Sequence, residues 1–218
     1  FNSLRMTGTW GFNENKEHGR VHIKLNPRNE NGIFDIDELF YVDVRGLGTF
    51  DFTDSQIEKD RRLDELKNGF IGLNEYIINF DTFYNNIKNN KKSSFTTKLT
   101  DQKSICSGIG NYLLSEIMYS SGLHPSIKCH ELDDNDIKRV FDECDKTIKL
   151  SYELGGMSMR DYVDLDGTKG AFDQHLKVYG KRGKTDPYGN KIFHMKRGTG
   201  QTIWYVPGLQ RKKGDIDM

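Results

Sequence analysis

The first fifty residues alternate between apolar and polar positions, as strands do. In the segment Arg20–Leu25, apolar side chains occupy every second position, which places them all on one face. Further short strands are predicted over Arg5–Phe12, Leu39–Val44 and Gly48–Phe52. This part of the chain is therefore expected to form a sheet-rich sandwich.

Helical spacing of apolar residues follows, and it dominates from Thr96 to about Tyr162. One stripe predicts a helix that reaches Leu150 and is capped by Asp133 or Asp134. The apolar members of this stripe are Ile137, Val140, Phe141 and Cys144. The polar, lysine-rich segment Asn85–Ser94 is interpreted as a solvated linker.

A hairpin is predicted near the end of the chain, from Lys191–Met195 and Gln201–Val206. The expected fold class is α+β, with an incomplete N-terminal β-sandwich before a helical region. We predict three segments: a sandwich over 1–85, a helical domain over 95–176, and the hairpin with its tail over 177–218.

Charge is unevenly distributed along the 218 residues, although the formal net charge is zero. The segment Lys169–Lys213 holds eleven Lys and Arg residues against two Asp. The remainder of the chain is correspondingly acidic. This asymmetry favours a basic surface that binds a polyanion.

The three cysteines, Cys106, Cys129 and Cys144, show no CxxC spacing. Neither a disulfide framework nor a cysteine-based metal site is predicted, and buried thiols in a reducing, intracellular compartment are expected. No apolar run reaches the length of a membrane span, and no signal peptide is visible. We expect no cofactor, no metal and no membrane partner.

The segment Leu99–Glu116 predicts two short helices joined by a glycine turn. Gly108 and Gly110 allow the backbone to bend sharply, and Asn111 stands where the second helix begins. A helix N-terminus offers free N–H groups and a positive dipole end, which suit a phosphate oxygen. On its own, Asn111 could equally be a helix N-cap.

Several separated segments, in the same order, resemble the Fpg/Nei (endonuclease VIII-like) DNA glycosylases. The stretch just described resembles their helix-two-turn-helix, and the others resemble their strands and the approach to their C-terminal finger. The matching segments are Ser3–Gly8, Asp43–Gly48, Asp101–Pro125, Gly155–Gly167 and Val178–Gly183. Together they cover nearly the whole chain.

The resemblance implies a base excision repair enzyme that flips an oxidised base out of double-stranded DNA and cleaves the strand by Schiff-base chemistry. Its fold would place damaged duplex DNA in a cleft between the two halves, and we expect a monomer. The short loop Asp166–Gly170 offers little to cover a damaged purine, which favours oxidised pyrimidines.

The finger of this family normally holds zinc through two cysteine pairs, and this chain has none at those positions. The resemblance is therefore to the zincless-finger branch, in which packing must hold the hairpin. The residues expected to do so are Ile192, Phe193, Ile203 and Trp204. Gln201 stands where the family places a phosphate-binding arginine, so either binding is weaker, or Arg197 substitutes, or the residue was changed deliberately.

A flipped base leaves a vacancy that the protein must fill. The resemblance assigns this wedge to Met6 or Leu47, and contact with the orphaned opposite base to Arg45. The alternatives are that Met6 is an ordinary core methionine and that Arg45 forms a surface ion pair. Phosphate contacts near the lesion are assigned to Arg20, Gly110 and Asn111. Tyr179, Lys181, Arg182, Arg197 and Gln201 are further candidates, although basic runs are often merely solvated.

The catalytic groups of the family are an N-terminal proline amine, the glutamate after it, and a lysine on an early hairpin. None of them can be placed on this chain, so we expect them in a segment preceding Phe1 and assign no catalytic residue here. The alternative is a catalytically inactive DNA-binding protein built on the same fold.

Overall fold

The computed structural model forms two compact units. The sheet unit comprises Phe1–Gln56 with Gly155–Ala171, and the helical unit comprises Ile57–Leu154 with Phe172–Met218. Compactness alone does not define a domain, so the predicted domain boundaries stay predictions. The residues that the structure describes are 2–3, 8–12, 18–24, 38–66, 69–71, 77–157, 169–198 and 200–212.

Two small antiparallel sheets form the described part of the sheet unit. Its strands are β1 (Asn2–Ser3), β2 (Gly8–Gly11), β3 (Gly19–Lys24), β4 (Glu38–Asp43) and β5 (Thr49–Phe50). Strands β2, β4 and β3 pair in that order, and β1 pairs with β5. The alternation predicted for β3 is confirmed, since Val21 and Ile23 are half-buried while His22 and Lys24 are exposed.

The helical unit is built around one short, almost fully buried helix. Its elements are α1 (Gln56–Leu66, beginning at the boundary), α2 (Phe80–Asn89), α3 (Phe95–Thr100), α4 (Asn111–Ser120), α5 (Asp134–Glu153), β6 (Phe193–Lys196) and β7 (Thr202–Tyr205), with 3-10 turns at Cys129–Glu131 and Phe172–His175. Every residue of α4 from Leu113 to Tyr119 is buried. Helix α5 and strand β7 pack against it.

The predicted linker over Asn85–Ser94 is wrong, because α2 occupies its first half. Asn79 caps this helix by accepting a hydrogen bond from the backbone N–H of Thr82 at 2.8 Å. Phe83 and Ile87, four positions apart, are fully buried. Apolar spacing therefore decided the local structure, and the many Asn and Lys residues only cover the outer face.

The capped helix predicted after Asp133 is confirmed as α5. The Asp133 side chain accepts from the backbone N–H of Asp136 at 2.8 Å. The Asp136 side chain in turn accepts from the backbone N–H of Asp133, which completes a capping box. The expectation of buried thiols is also confirmed, since Cys106, Cys129 and Cys144 are all buried and unpaired. No helix among the described residues has the length and apolar character needed to cross a bilayer.

Candidate nucleic-acid interface

The side chain of Gln102 bridges the two ends of the turn between α3 and α4. Its amide nitrogen donates to the carbonyl oxygens of Thr100 at 3.0 Å and Ile109 at 3.1 Å, and its oxygen accepts from the N–H of Gly108 at 2.7 Å. Gly108 has a φ of 96°, a conformation that favours glycine. The turn is thus fixed by internal bonds.

Helix α4 begins at this turn with an uncapped N-terminus. Gly110 is the N-cap residue, and no described side chain accepts a hydrogen bond from the first turn. Gly108 and Gly110 are exposed to solvent. Helix α4 therefore begins at exposed backbone, with the positive end of the helix dipole behind it, which is an anion-binding geometry.

Asn111 is the first residue of α4, so the interpretation as an N-cap is wrong. Its side-chain nitrogen donates to the carbonyl oxygen of Thr202 on β7 at 2.8 Å. Its side-chain oxygen accepts from Nη2 of Arg197 at 3.4 Å. Asn111 therefore joins the turn to the hairpin, and we call this junction of the α3–α4 turn with the β6–β7 loop the corner.

Arg197 lies inside the corner and only 7% of it is exposed, so its guanidinium faces protein. Nη1 donates to the carbonyl oxygen of Thr96 at 2.9 Å and to Oγ1 of Thr100 at 3.0 Å. Nη2 donates to Asn111 and to Oε1 of Gln201. Burial lowers the pKa of this guanidinium. The structure thus places Arg197 behind the corner and leaves Gln201 exposed on its surface.

A buried carboxylate positions the segment that carries Tyr179 and Lys181. Glu116 on α4 accepts from the backbone N–H groups of Lys177 at 2.8 Å, Val178 at 3.0 Å and Tyr179 at 2.8 Å. Lys181 is half-buried, and its ammonium group donates to the carbonyl oxygen of Leu176. One acidic side chain therefore holds this backbone against α4.

The ring of Tyr179 packs edge-on against Trp204, with 4.6 Å between centroids. Ile192 forms a core with Tyr119, Val178 and Val206, and Trp204 packs beside it; Ile203 is also almost fully buried. Phe193 was predicted to join this core, but it is 44% exposed because its position in β6 faces outward.

Two buried polar side chains hold the turns of the finger. Oδ1 of Asp186 accepts from the backbone N–H groups of Tyr188 at 3.0 Å and Asn190 at 2.7 Å, and its Oδ2 accepts from the hydroxyl of Tyr119 at 2.9 Å. Gln210 accepts from the N–H of Val206 at 2.7 Å. Its amide nitrogen donates to the carbonyl oxygen of Leu123 at 2.9 Å. These bonds tie both turns to α4 and the segment after it.

Metal ligands are not grouped in the described part of the chain, where no three His, Cys, Asp or Glu residues come together. The resemblance described above puts the two cysteine pairs of the family near Asp186 and near Val206. In this chain, the hydrogen-bonded carboxylate of Asp186 takes the place of the first pair. A turn held by the side-chain amide of Gln210 takes the place of the second.

In the sheet unit, the loop between β4 and β5 projects an apolar side chain and a cation. Leu47 is 58% exposed, and Arg45 beside it is also exposed. We call residues 44–48 the wedge loop. The buried Asp43 carboxylate accepts from the N–H groups of Arg45 at 3.2 Å and Gly48 at 2.7 Å, which fixes the loop at both ends.

Arg20 lies against the wedge loop. Its Nε donates to the carbonyl oxygen of Asp43 at 3.1 Å, and its guanidinium passes beside Gly46. Gly48 approaches Tyr41 so closely that a Cβ there would lie 1.8 Å from the Tyr41 hydroxyl. These residues line a cavity of about 170 Å³. The structure therefore brings Arg20, Arg45 and Leu47 together, while Met6 lies outside the described residues.

The sequence analysis missed three anchoring residues: Glu116, Asp186 and Gln210. Asp186 had a signal, since Asp followed by Pro187 is typical of the first two positions of a β-turn. Glu116 had none, because its partners are about sixty residues away, and the bond of Gln210 to Leu123 is likewise distant in sequence.

Comparisons with known proteins agree with this architecture. The formamidopyrimidine-DNA glycosylase H2TH domain matches residues 74–163, which contain the corner's helices. The formamidopyrimidine-DNA glycosylase of Mycoplasmopsis pulmonis is 32% identical over 98% of this chain and 73% of its own length.

Two solved structures of Lactococcus lactis Fpg have similar folds, one in complex with abasic-site DNA and one with DNA containing an oxidised pyrimidine. Each has a TM-score of 0.72 at 21% identity, and each match covers 97% of this chain and 74% of the other. At that identity the likeness concerns the fold. The 32% sequence identity to the M. pulmonis enzyme, together with the matching H2TH domain, shows that this chain belongs to the Fpg/Nei family of DNA glycosylases.

Proposed function

We propose that the corner grips the sugar-phosphate backbone of damaged double-stranded DNA beside an everted nucleotide. The chain belongs to a family of base excision repair glycosylases that also act as AP lyases. The observation that carries the proposal is the uncapped N-terminus of α4 beside Asn111. Free N–H groups at a helix N-terminus bind phosphate without reading sequence, which suits an enzyme that must search any DNA.

Residues around the corner extend this grip. The exposed Gln201 adds amide donors, and the segment held by Glu116 presents Tyr179 and Lys181 next to the hairpin. Arg197 acts from behind the surface, so we no longer assign it a direct contact with DNA.

The wedge loop is proposed to fill the vacancy left by the flipped base. Leu47 supplies apolar volume, Arg45 contacts the orphaned base, and Arg20 binds a phosphate near the loop. An exposed leucine on a loop fixed at both ends is suited to insertion, because little structure must change when it enters the stack. Met6 remains a second candidate for this role.

The proposed substrates are oxidised bases, with pyrimidines preferred. This preference depends on the shortness of the 166–170 loop, most of which lies outside the described residues. The protein is proposed to act as a monomer wherever the cell holds its DNA. No residue of this chain is assigned as the amine that attacks the sugar.

Binding measurements test the corner. Asn111→Ala is expected to weaken binding to duplexes of different sequence by a similar factor, about tenfold, because a phosphate contact carries no sequence information. Affinity should be measured by fluorescence anisotropy across a salt series. Asn85→Ala, an exposed asparagine on α2, serves as the control. An unchanged affinity for Asn111→Ala would remove this residue from the grip.

Borohydride trapping on abasic-site DNA tests the chemistry. We expect the 218-residue chain to bind this DNA without forming a covalent adduct. A protein that also carries the family's N-terminal proline amine is expected to form one, because borohydride reduces the Schiff base to a stable bond. Binding without an adduct in that longer protein would favour a catalytically inactive DNA-binding protein.

A further inference from the structure

The guanidinium of Arg197 is a buried cation that no acidic side chain balances in the part of the chain that the structure describes. All its described acceptors are neutral, namely one backbone carbonyl, one hydroxyl and two side-chain amides. Its Nε is also buried and meets no acceptor among the same residues. Buried charges in proteins are normally paired, because an isolated ion loses its hydration without compensation. Arg197 therefore lacks a counter-ion.

The amides bonded to Arg197 lie between this cation and the surface of the corner. Asn111 and Gln201 each present their side-chain oxygen to the same Nη2 atom. An amide that gives its oxygen to a cation directs its NH₂ end to another side, and that of Asn111 donates one hydrogen to the carbonyl oxygen of Thr202 and has a second for a ligand. The two amides are thereby oriented by Arg197 and polarised by its charge, and the uncapped end of α4 adjoins them.

We propose that a DNA backbone phosphate is the counter-ion of Arg197, which acts as a positioning residue through the amides of Asn111 and Gln201. This inference rests on the proposed function. Arg197 then supplies positive charge to the corner from inside the protein, in addition to the exposed Lys103 of the turn, while the exposed position 201 carries none. A buried charge is screened less by salt than a solvent-exposed one. The Arg197 guanidinium therefore still attracts a phosphate at physiological ionic strength.

The first test removes the charge. Arg197→Gln is expected to lower affinity for a duplex with an abasic-site analogue by at least about tenfold, and to reduce the slope of log K against log salt by about 0.9. The matched control is Lys191→Gln, which removes an exposed cation from the same hairpin. This control is expected to change affinity by less than about threefold.

Two further variants separate charge from packing. Arg197→Lys keeps the charge and loses the planar fork, so the salt slope should stay at the wild-type value even if the melting temperature falls. The double variant Arg197→Gln with Gln201→Arg returns a cation to the corner from the exposed position. It is expected to recover affinity to within about threefold of wild type. Recovery supports the inference only where it exceeds the gain that Gln201→Arg gives by itself, because an exposed arginine can bind a phosphate directly.

The outcomes are distinguishable. If wild-type protein does not bind the duplex, the proposed function itself fails. If wild type binds and Asn111→Ala weakens it while Arg197→Gln keeps the full salt slope, only the role of Arg197 is overturned. Should Arg197→Gln not fold, Arg197→Lys decides, because a reduced slope in that folded variant contradicts the inference and a retained slope supports it.

Discussion

The corner and the wedge loop achieve fixed geometry in opposite ways. At the corner, the guanidinium of Arg197 is buried behind the side-chain amides of Asn111 and Gln201. In the wedge loop, one buried carboxylate holds the ends while Leu47 and Arg45 project outward. A phosphate grip needs donors that are in place beforehand, whereas an inserting side chain must be accessible. Buried bonds therefore hold the hydrogen-bond donors in place at the corner, whereas in the wedge loop they keep Leu47 and Arg45 accessible.

The largest expected effect comes from breaking the support of the corner. Glu116→Gln replaces a carboxylate oxygen with an NH₂ group that faces backbone N–H donors, and the loss of a charged acceptor for three N–H groups should cost about 3 kcal/mol of unfolding free energy. Urea unfolding measures this change. Glu153→Gln, an exposed glutamate on α5, is the control and should shift the unfolding free energy by less than about 0.5 kcal/mol. Equal stability of the two variants would contradict this account.

The next effect concerns the first turn of the finger. Burial raises the pKa of the Asp186 carboxyl, but hydrogen bonds from Asn190, Tyr119 and the backbone of Tyr188 outweigh it, so the pKa lies below its usual value. Because the folded state has the lower pKa, this stabilisation is present above about pH 4 and is lost as the pH falls through the folded pKa.

Asp186→Asn should therefore cost about 1–2 kcal/mol at pH 7 and flatten the loss of stability below about pH 4. Urea unfolding between about pH 2.5 and pH 7 checks both parts. Asp173→Asn, at an exposed aspartate, is the control. If the unfolding free energy of Asp186→Asn falls as steeply with acid as that of wild type, Asp186 contributes nothing to the acid dependence.

A smaller effect is expected in the wedge loop. Leu47→Ala should leave the unfolding free energy within about 0.5 kcal/mol of wild type, because the side chain is exposed. It should reduce the preference for lesion-containing over intact duplex by about tenfold, since the vacancy is left unfilled. Competition binding measures the ratio. Val44→Ala, in the same loop and 51% exposed, is the control, and an equal loss on both duplexes would argue against a wedge.

The smallest expected effect is that of a chelator. Since Asp186 and Gln210 hold the finger turns by hydrogen bonds, an excess of EDTA should leave the melting temperature and the DNA affinity unchanged. Thermal unfolding and anisotropy with and without chelator check this, with a zinc-dependent finger protein treated in parallel. A clear fall in melting temperature would mean that a bound metal stabilises this protein.

The sequence predicted those features whose causes are local. Helix α5 followed from its stripe and from the cap at Asp133, and the turn at Gly108 followed from glycine spacing and family resemblance. Helix α2 was missed because polar composition was weighted above the spacing of Phe83 and Ile87.

The direction of the Arg197 side chain could not be predicted. Its partner Thr96 is 101 positions away, and no pattern within the hairpin indicates that a cation there turns inward. The same holds for Glu116, whose acceptor role depends on a segment about sixty residues further along. Local patterns identify surfaces, whereas the buried bonds that shape them depend on the tertiary fold.

The cysteine-free finger has a chemical consequence under oxidising conditions. Zinc held by thiolates is lost when peroxide oxidises the sulfur, whereas the carboxylate of Asp186 and the amide of Gln210 do not react. The three thiols lie outside the finger, and burial raises their pKa values, that of Cys129 to about 11, which keeps them protonated and unreactive. The turns that hold the hairpin are therefore held by groups that peroxide does not attack, unlike a zinc–thiolate site.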